Sequence, residues 1–130
     1  DSVKSRGLGD VYKRQEELIP CAGQGIIAIQ CRENDQEIIN ILEKINDNQS
    51  RIIANAERNV LKILEGDCDT AVGVYAKITQ DIVNIKAELF SVDGKKRFYV
   101  DESENKKMIN DLSIKIGEKL KSESKGSYKR

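Results

Sequence analysis

Between Val72 and Leu89 the apolar residues fall on every second position, and no other feature of this 130-residue chain narrows its fold as far. Val72, Val74, Ala76 and Ile78 alternate with Gly73, Tyr75 and Lys77. After Thr79-Gln80-Asp81, Val83, Ile85, Ala87 and Leu89 alternate with Asn84, Lys86 and Glu88. Successive strand side chains point to opposite faces, so each run has one apolar face and needs cover on that face alone. The short polar link predicts that the two runs pair as a hairpin. Asp93-Gly94, a strong turn pair, leads into a third strand over Lys95 to Val100. The expected sheet is a three-stranded antiparallel meander.

Cover for its apolar face comes from segments with helical spacing. Ile53, Ala56, Val60, Ile63 and Leu64 share one face of a helix expected over Ser50 to Glu65, and Gly66 suits the left-handed position that ends it. Glu57 and Arg58 lie beside that face and read as a solvated ion pair of little energetic weight. Met108, Ile109, Leu112, Ile116 and Leu120 form the stripe of a second helix over Asn105 to Leu120, while Lys121 to Arg130 is polar and basic and reads as a frayed tail. Upstream, Pro20, Gly23 and Gly25 mark a tight loop before Ile26-Ile27-Ala28-Ile29, which reads as a buried strand. Asp35 or Asn34 then caps a helix over Gln36 to Asn46, with Ile38, Ile39, Leu42 and Ile45 at helical spacing. One strand-helix unit cannot bury both faces of its strand, so its partner sheet is missing and poorer order is expected before Asn46 than after it.

The fold class is therefore α+β: a C-terminal three-stranded antiparallel sheet covered on one face by helices, preceded by a strand-helix unit left over from an incomplete α/β domain. Residues 16–47 form that partial segment, and 48–130 form the C-terminal domain with a disordered tail over 121–130. Residues 1–15 look foreign to the rest. Asp10-Val11-Tyr12-Lys13-Arg14-Gln15 can be encoded GAT GTG TAT AAG AGA CAG, similar to the transposon end used in sequencing-library preparation. A non-native leader is expected there, with a divergent native linker as the alternative and the true protein continuing upstream.

Lys plus Arg and Asp plus Glu each total 22, so no bulk charge favours nucleic acid, and no long apolar run supports a membrane span. Cys21, Cys31 and Cys68 are odd in number, lack Cys-x-x-Cys spacing and have no histidine partner, which argues against a zinc site, a disulfide framework or any other metal centre. A reducing, cytoplasmic location fits that cysteine usage. Cys68 follows a helix C-terminus and lies between Asp67 and Asp69, a setting that raises a thiol pKa. Such a thiol suits a covalent anchor alkylated once better than a nucleophile that turns over. The glycines flanking Gln24 let a backbone approach a ligand, and an anionic group can sit on exposed N–H groups, although a lone Gly-x-Gly is more often a plain turn.

Two motifs taken together are far more specific than either alone. Ile19-Pro20-Cys21-Ala22-Gly23-Gln24-Gly25 leads through a strand to Gln30-Cys31-Arg32, and Ala56-Glu57-Arg58 leads to Leu64-Glu65-Gly66-Asp67-Cys68. Their order and spacing resemble hydroxymethylbilane synthase, also called porphobilinogen deaminase, over Glu16 to about Leu120. The resemblance implies a transferase of tetrapyrrole biosynthesis, monomeric when full length, which joins four porphobilinogen molecules head to tail on a dipyrromethane cofactor, releasing ammonia. It implies a thioether from Cys68 to that cofactor, and contacts from Gln24 and Gly25 to the cofactor and growing chain. Ile26 to about Glu43 would return to the first family domain and Asn48 onward would be the third, cofactor-carrying domain. The family's general acid/base aspartate and most of its arginine cluster lie upstream, so no catalytic residue is assigned in this chain.

This sequence departs from the family at Asp67, where a second glycine is usual, and at Asp69-Thr70-Ala71, where Gln or Ser precedes a Pro-containing stretch. Asp67 thus puts a carboxylate beside the anchor. Two other readings compete: a small non-catalytic α/β interaction module whose free thiol and Gly-Gln-Gly turn are structural, and a redox sensor at Cys68, disfavoured by its acidic neighbours and lack of a resolving cysteine.

Overall fold

The computed structural model describes residues 18–67 and 69–129. Its elements run α1 (Gln36–Ile45), α2 (Asn48–Leu64), β1 (Val72–Thr79), β2 (Ile82–Phe90), β3 (Arg97–Asn105), a 3₁₀ turn (Lys106–Met108) and α3 (Ile109–Ser124). The strands form one sheet in the order β1-β2-β3, both pairs antiparallel, with Val72 opposite Leu89 and Phe90 opposite Arg97. This is the expected meander, and α2 and α3 pack together on one face of it. Val74 and Ala76 of β1, Val83, Ile85, Ala87 and Leu89 of β2 and Val100 of β3 meet Ala56, Val60 and Leu64 of α2 and Ile109, Leu112, Ile116 and Leu120 of α3 in one buried core. Close approach of the two helices depends on Gly117, where a Cβ would lie 2.8 Å from Ile63 Cβ.

Several boundaries moved. β3 runs five residues past Val100, through the polar stretch Asp101–Asn105, because both its faces find partners. Asn84 Nδ2 donates to Asp101 Oδ1 at 2.7 Å and Ser103 Oγ at 3.0 Å on one face, while Lys115 and Lys119 of α3 reach Glu102 on the other. The helix expected from Asn105 consequently starts at Ile109, and Met108, placed in its apolar stripe by spacing, is 45% exposed in the 3₁₀ turn. At the other end α3 continues to Ser124. Tyr128, in the segment expected to fray, is only 4% exposed and belongs to the core.

α2 begins at Asn48 rather than Ser50 because Asp47 caps it, accepting from the Gln49 and Ser50 N–H groups. Its left-handed terminal residue is Glu65 (φ 53°), not Gly66. The Glu65 N–H donates to Lys62 O and the Gly66 N–H to Leu61 O, both at 3.1 Å, the paired bonds of a Schellman end with glycine one place later than expected. Residues 26–29 form no strand. Ile27 is 90% exposed, and α1, capped by Asp35, buries none of its residues. The buried strand expected there is not formed, since the short apolar run pairs with none of the described strands and stays exposed. The leader expected over residues 1–15 lies outside the described residues. Among the described residues no helix is long and apolar enough to cross a membrane.

Candidate functional site

The helix α2 carries the geometry that matters, because both motifs converge on it. Position 57 falls four residues after Ile53 and three before Val60, on the apolar face rather than beside it. Glu57 is accordingly 4% exposed, not a solvated ion-pair member. Its Oε1 accepts from the Ala76 N–H of β1 at 2.8 Å and its Oε2 from the Gly23 N–H at 2.7 Å. Burial pushes this carboxyl above its ordinary range, against the pull of the two backbone donors. One side chain thus ties the glycine loop to the edge of the sheet.

A second carboxylate works alongside it. Glu88 of β2 is buried, accepts from the Ile19 N–H at 3.2 Å and is engaged by Arg97, whose Nε lies 2.9 Å away. The Val74 N–H donates to Pro20 O at 2.9 Å. Gly73 allows this crossing, since a Cβ there would lie 2.6 Å from Ile19 O. The segment Ile19–Gly25 is therefore clipped to the sheet at three points, none of which was legible from the Gly-Gln-Gly spacing.

Within the loop, Gly23 (φ 76°) and Gly25 (φ 82°) occupy conformations that suit glycine. Three amides of this stretch have acceptors: Glu57 takes the Gly23 N–H, Cys21 O the Gln24 N–H and Gly23 O the Ile26 N–H. The expected cradle of exposed N–H groups is thus partly used by the fold itself, while Gln24 and Gly25 are both exposed. Cys21 and Cys31 are free thiols.

The second motif ends α2 seven residues, or about 10 Å of helix, beyond Glu57. Cys68 lies outside the described residues, so Gln24 and Gly25 are placed and the cysteine is not. Its neighbours form a self-closed turn. The Asp67 carboxylate accepts from the Asp69 N–H at 3.0 Å and the Thr70 hydroxyl at 2.9 Å, and Thr70 N–H donates to Asp67 O at 3.2 Å. The Thr70 hydroxyl foremost holds the Asp67 carboxyl below its usual range, so it stays ionised. The residue that departs from the expected glycine is thereby occupied within the loop.

Two further residues at this end escaped the sequence pattern. Tyr128 donates its hydroxyl to Leu64 O at 2.9 Å, and Lys129 pairs with Glu65. Their only advance sign was an aromatic residue in a basic tail. A polar cavity of about 180 Å³ lies between Glu65, Asp67, Asp69, Thr70, Tyr128 and Lys129. A wider, more apolar groove of about 740 Å³ runs between residues 25–31, α1 and the start of α2.

Comparison with known proteins agrees with this arrangement. The family model described as "Porphobilinogen deaminase, C-terminal domain" matches residues 52–122, from α2 through α3. A porphobilinogen deaminase of Exiguobacterium sibiricum is 42% identical over 91 residues, covering 69% of this chain and 30% of its own length. Those of Desulforamulus reducens and Prochlorococcus marinus are 34% and 36% identical over 103 and 99 residues, covering 78% and 76% of this chain and 33% and 31% of theirs. The chain spans about a third of the length of the curated relatives it matches. With the family's C-terminal domain matched across its helices and sheet, the chain belongs to the porphobilinogen deaminase family.

Proposed function

We propose that this chain is the cofactor-carrying part of a hydroxymethylbilane synthase, with Cys68 the thioether attachment point of a dipyrromethane primer on which porphobilinogen units are joined. Family membership carries this reading, and the surroundings of the cysteine support it. The flanking residues form a closed turn at a capped helix end, where a once-formed covalent link needs a fixed exit from the helix rather than an activated thiolate. Within this chain Gln24 and the Gly25 N–H are the groups that contact the cofactor or its extension, the amide serving as a donor to a carboxylate. When bound, the primer supplies the pyrrole carbon that accepts each new unit. Among the described residues no group is assigned to proton transfer, so the 130-residue chain by itself is catalytically incompetent, and its small-molecule substrate is met only in the complete, monomeric cytoplasmic enzyme.

The deciding measurement is the intact mass of the recombinant full-length protein, with Cys68→Ala beside it. An adduct of dipyrromethane mass, lost in the variant, is the expected result. An unmodified mass from folded full-length protein would sink the assignment, and conversion of porphobilinogen by the isolated 130-residue chain would refute its incompetence.

A further inference from the structure

We infer that the last turn of the chain, Lys125–Lys129, is a positioning element for the cysteine-bearing loop, an inference that rests on the role proposed for Cys68. After α3 ends at Ser124, left-handed Lys125 (φ 48°) and Gly126 (φ 75°) turn the chain back across the sheet end. There the Val92 N–H of the β2–β3 loop donates to Ser127 O at 2.9 Å, which fixes where the turn lies. Tyr128 then enters the core beside the C-terminus of α2.

The last carbonyls of a helix have no partner within it. In α2, Leu61 O and Lys62 O are taken by the Gly66 and Glu65 N–H groups, and Leu64 O by the Tyr128 hydroxyl from 64 residues away. Glu65 adopts a left-handed conformation (φ 53°) that a residue with a Cβ disfavours. Its carboxylate is held there by Lys129 and by Lys121, whose Nζ lies 3.4 Å away. Both ammonium groups keep the Glu65 carboxyl below its usual range. The direction in which the chain leaves α2 toward Asp67 and Thr70 is thus set by Tyr128 and Lys129, which also wall the polar cavity beside that turn. Tyr128 acts through Leu64 and is a positioning residue, not a catalytic one.

The test uses the 130-residue chain with Cys21→Ser and Cys31→Ser, so that Cys68 is its single thiol. Tyr128→Phe removes the hydroxyl and keeps the ring. Amide exchange at Glu65, Gly66 and Thr70 is expected to quicken about five-fold, the loss of one neutral hydrogen bond, with Ile85 and Ala87 of β2 unchanged. Alkylation of Cys68 by iodoacetamide is expected to change at least two-fold in the native protein and not at all in denaturant. Lys129→Met should reproduce both effects without touching the core. Exchange that rises uniformly or not at all, or an unchanged alkylation rate, overturns the inference. Absence of an adduct on wild-type full-length protein would instead defeat the cofactor assignment while the exchange rates keep their meaning, so the two failures are distinguishable.

Discussion

Removing the carboxylate of Glu57 should detach the glycine loop from the sheet before it unfolds the domain. In Glu57→Ala the Ala76 N–H is left in a buried strand without an acceptor, and the Gly23 N–H loses its acceptor in a loop that water can reach. An unsatisfied buried donor costs about 1–3 kcal/mol and a rehydrated one less, so the expected loss is about 2–4 kcal/mol. For a domain of this size that is a fall in Tm of roughly 8–16 °C. Glu57→Gln keeps one acceptor oxygen but turns an NH₂ toward the other N–H, costing about 1–3 kcal/mol. The pH dependence has a definite sign. Burial raises this carboxyl in the folded state above its reference value of 4.5, so the stability Glu57 contributes is fully present below that value and is lost as pH rises through its folded pKa. The wild-type advantage over Glu57→Gln, measured by urea unfolding between about pH 4 and pH 8, should therefore narrow as pH rises. An advantage that widens with pH, or Glu57→Ala within about 0.5 kcal/mol of wild type, would refute the reasoning.

Other consequences are open to direct measurement. Gly117→Ala gains up to about 1 kcal/mol of helix propensity but overpacks the α2–α3 contact by about 1–3 kcal/mol; since the clash is with the Ile63 Cβ itself, Ile63→Val should not rescue it in thermal melts. Gly73→Ala should displace Ile19–Pro20, seen as faster exchange at Val74 and proteolytic cleavage within residues 18–25 while the sheet persists. Amide protection across residues 26–46 should fall well below that of β2, and equal protection would contradict the view that this segment lacks a partner sheet.

Period-two alternation in β1 and β2 needed nothing beyond the chain itself to be legible, and the burial pattern follows it residue by residue from Val83 to Ala87. Less visible were features whose cause lies far along the sequence. The polar run Asp101–Asn105 is a strand because Asn84 and two lysines of α3 meet it, and no local property of those five residues announces that. Likewise Tyr128 looks like tail until Leu64 O is seen to need a donor. Glu57 is a different case, since its place on the apolar stripe of α2 was countable from Ile53 and Val60. A charged residue on such a stripe is a signal of a buried partner. The strand expected over residues 26–29 is not formed: a short apolar run specifies burial but names no pairing partner, and none of the described strands pairs with it.

The clip that holds the glycine loop has one more effect, on what this chain can do in company. An unpaired strand edge is a template for another chain, and β1 is one of the two edges of its sheet. In its middle, the amides of Val74 and Ala76 that face away from β2 are already taken, one by Pro20 O and the next by a glutamate side chain. A foreign strand seeking to extend the sheet finds two successive donors occupied by groups that cannot be peeled off without exposing Ile19 and the buried face of α2. The same carboxylate that joins the two motifs thus blocks edge-to-edge association, so a lesion at Glu57 should appear in concentrated solution as self-association through β1 as well as lost stability.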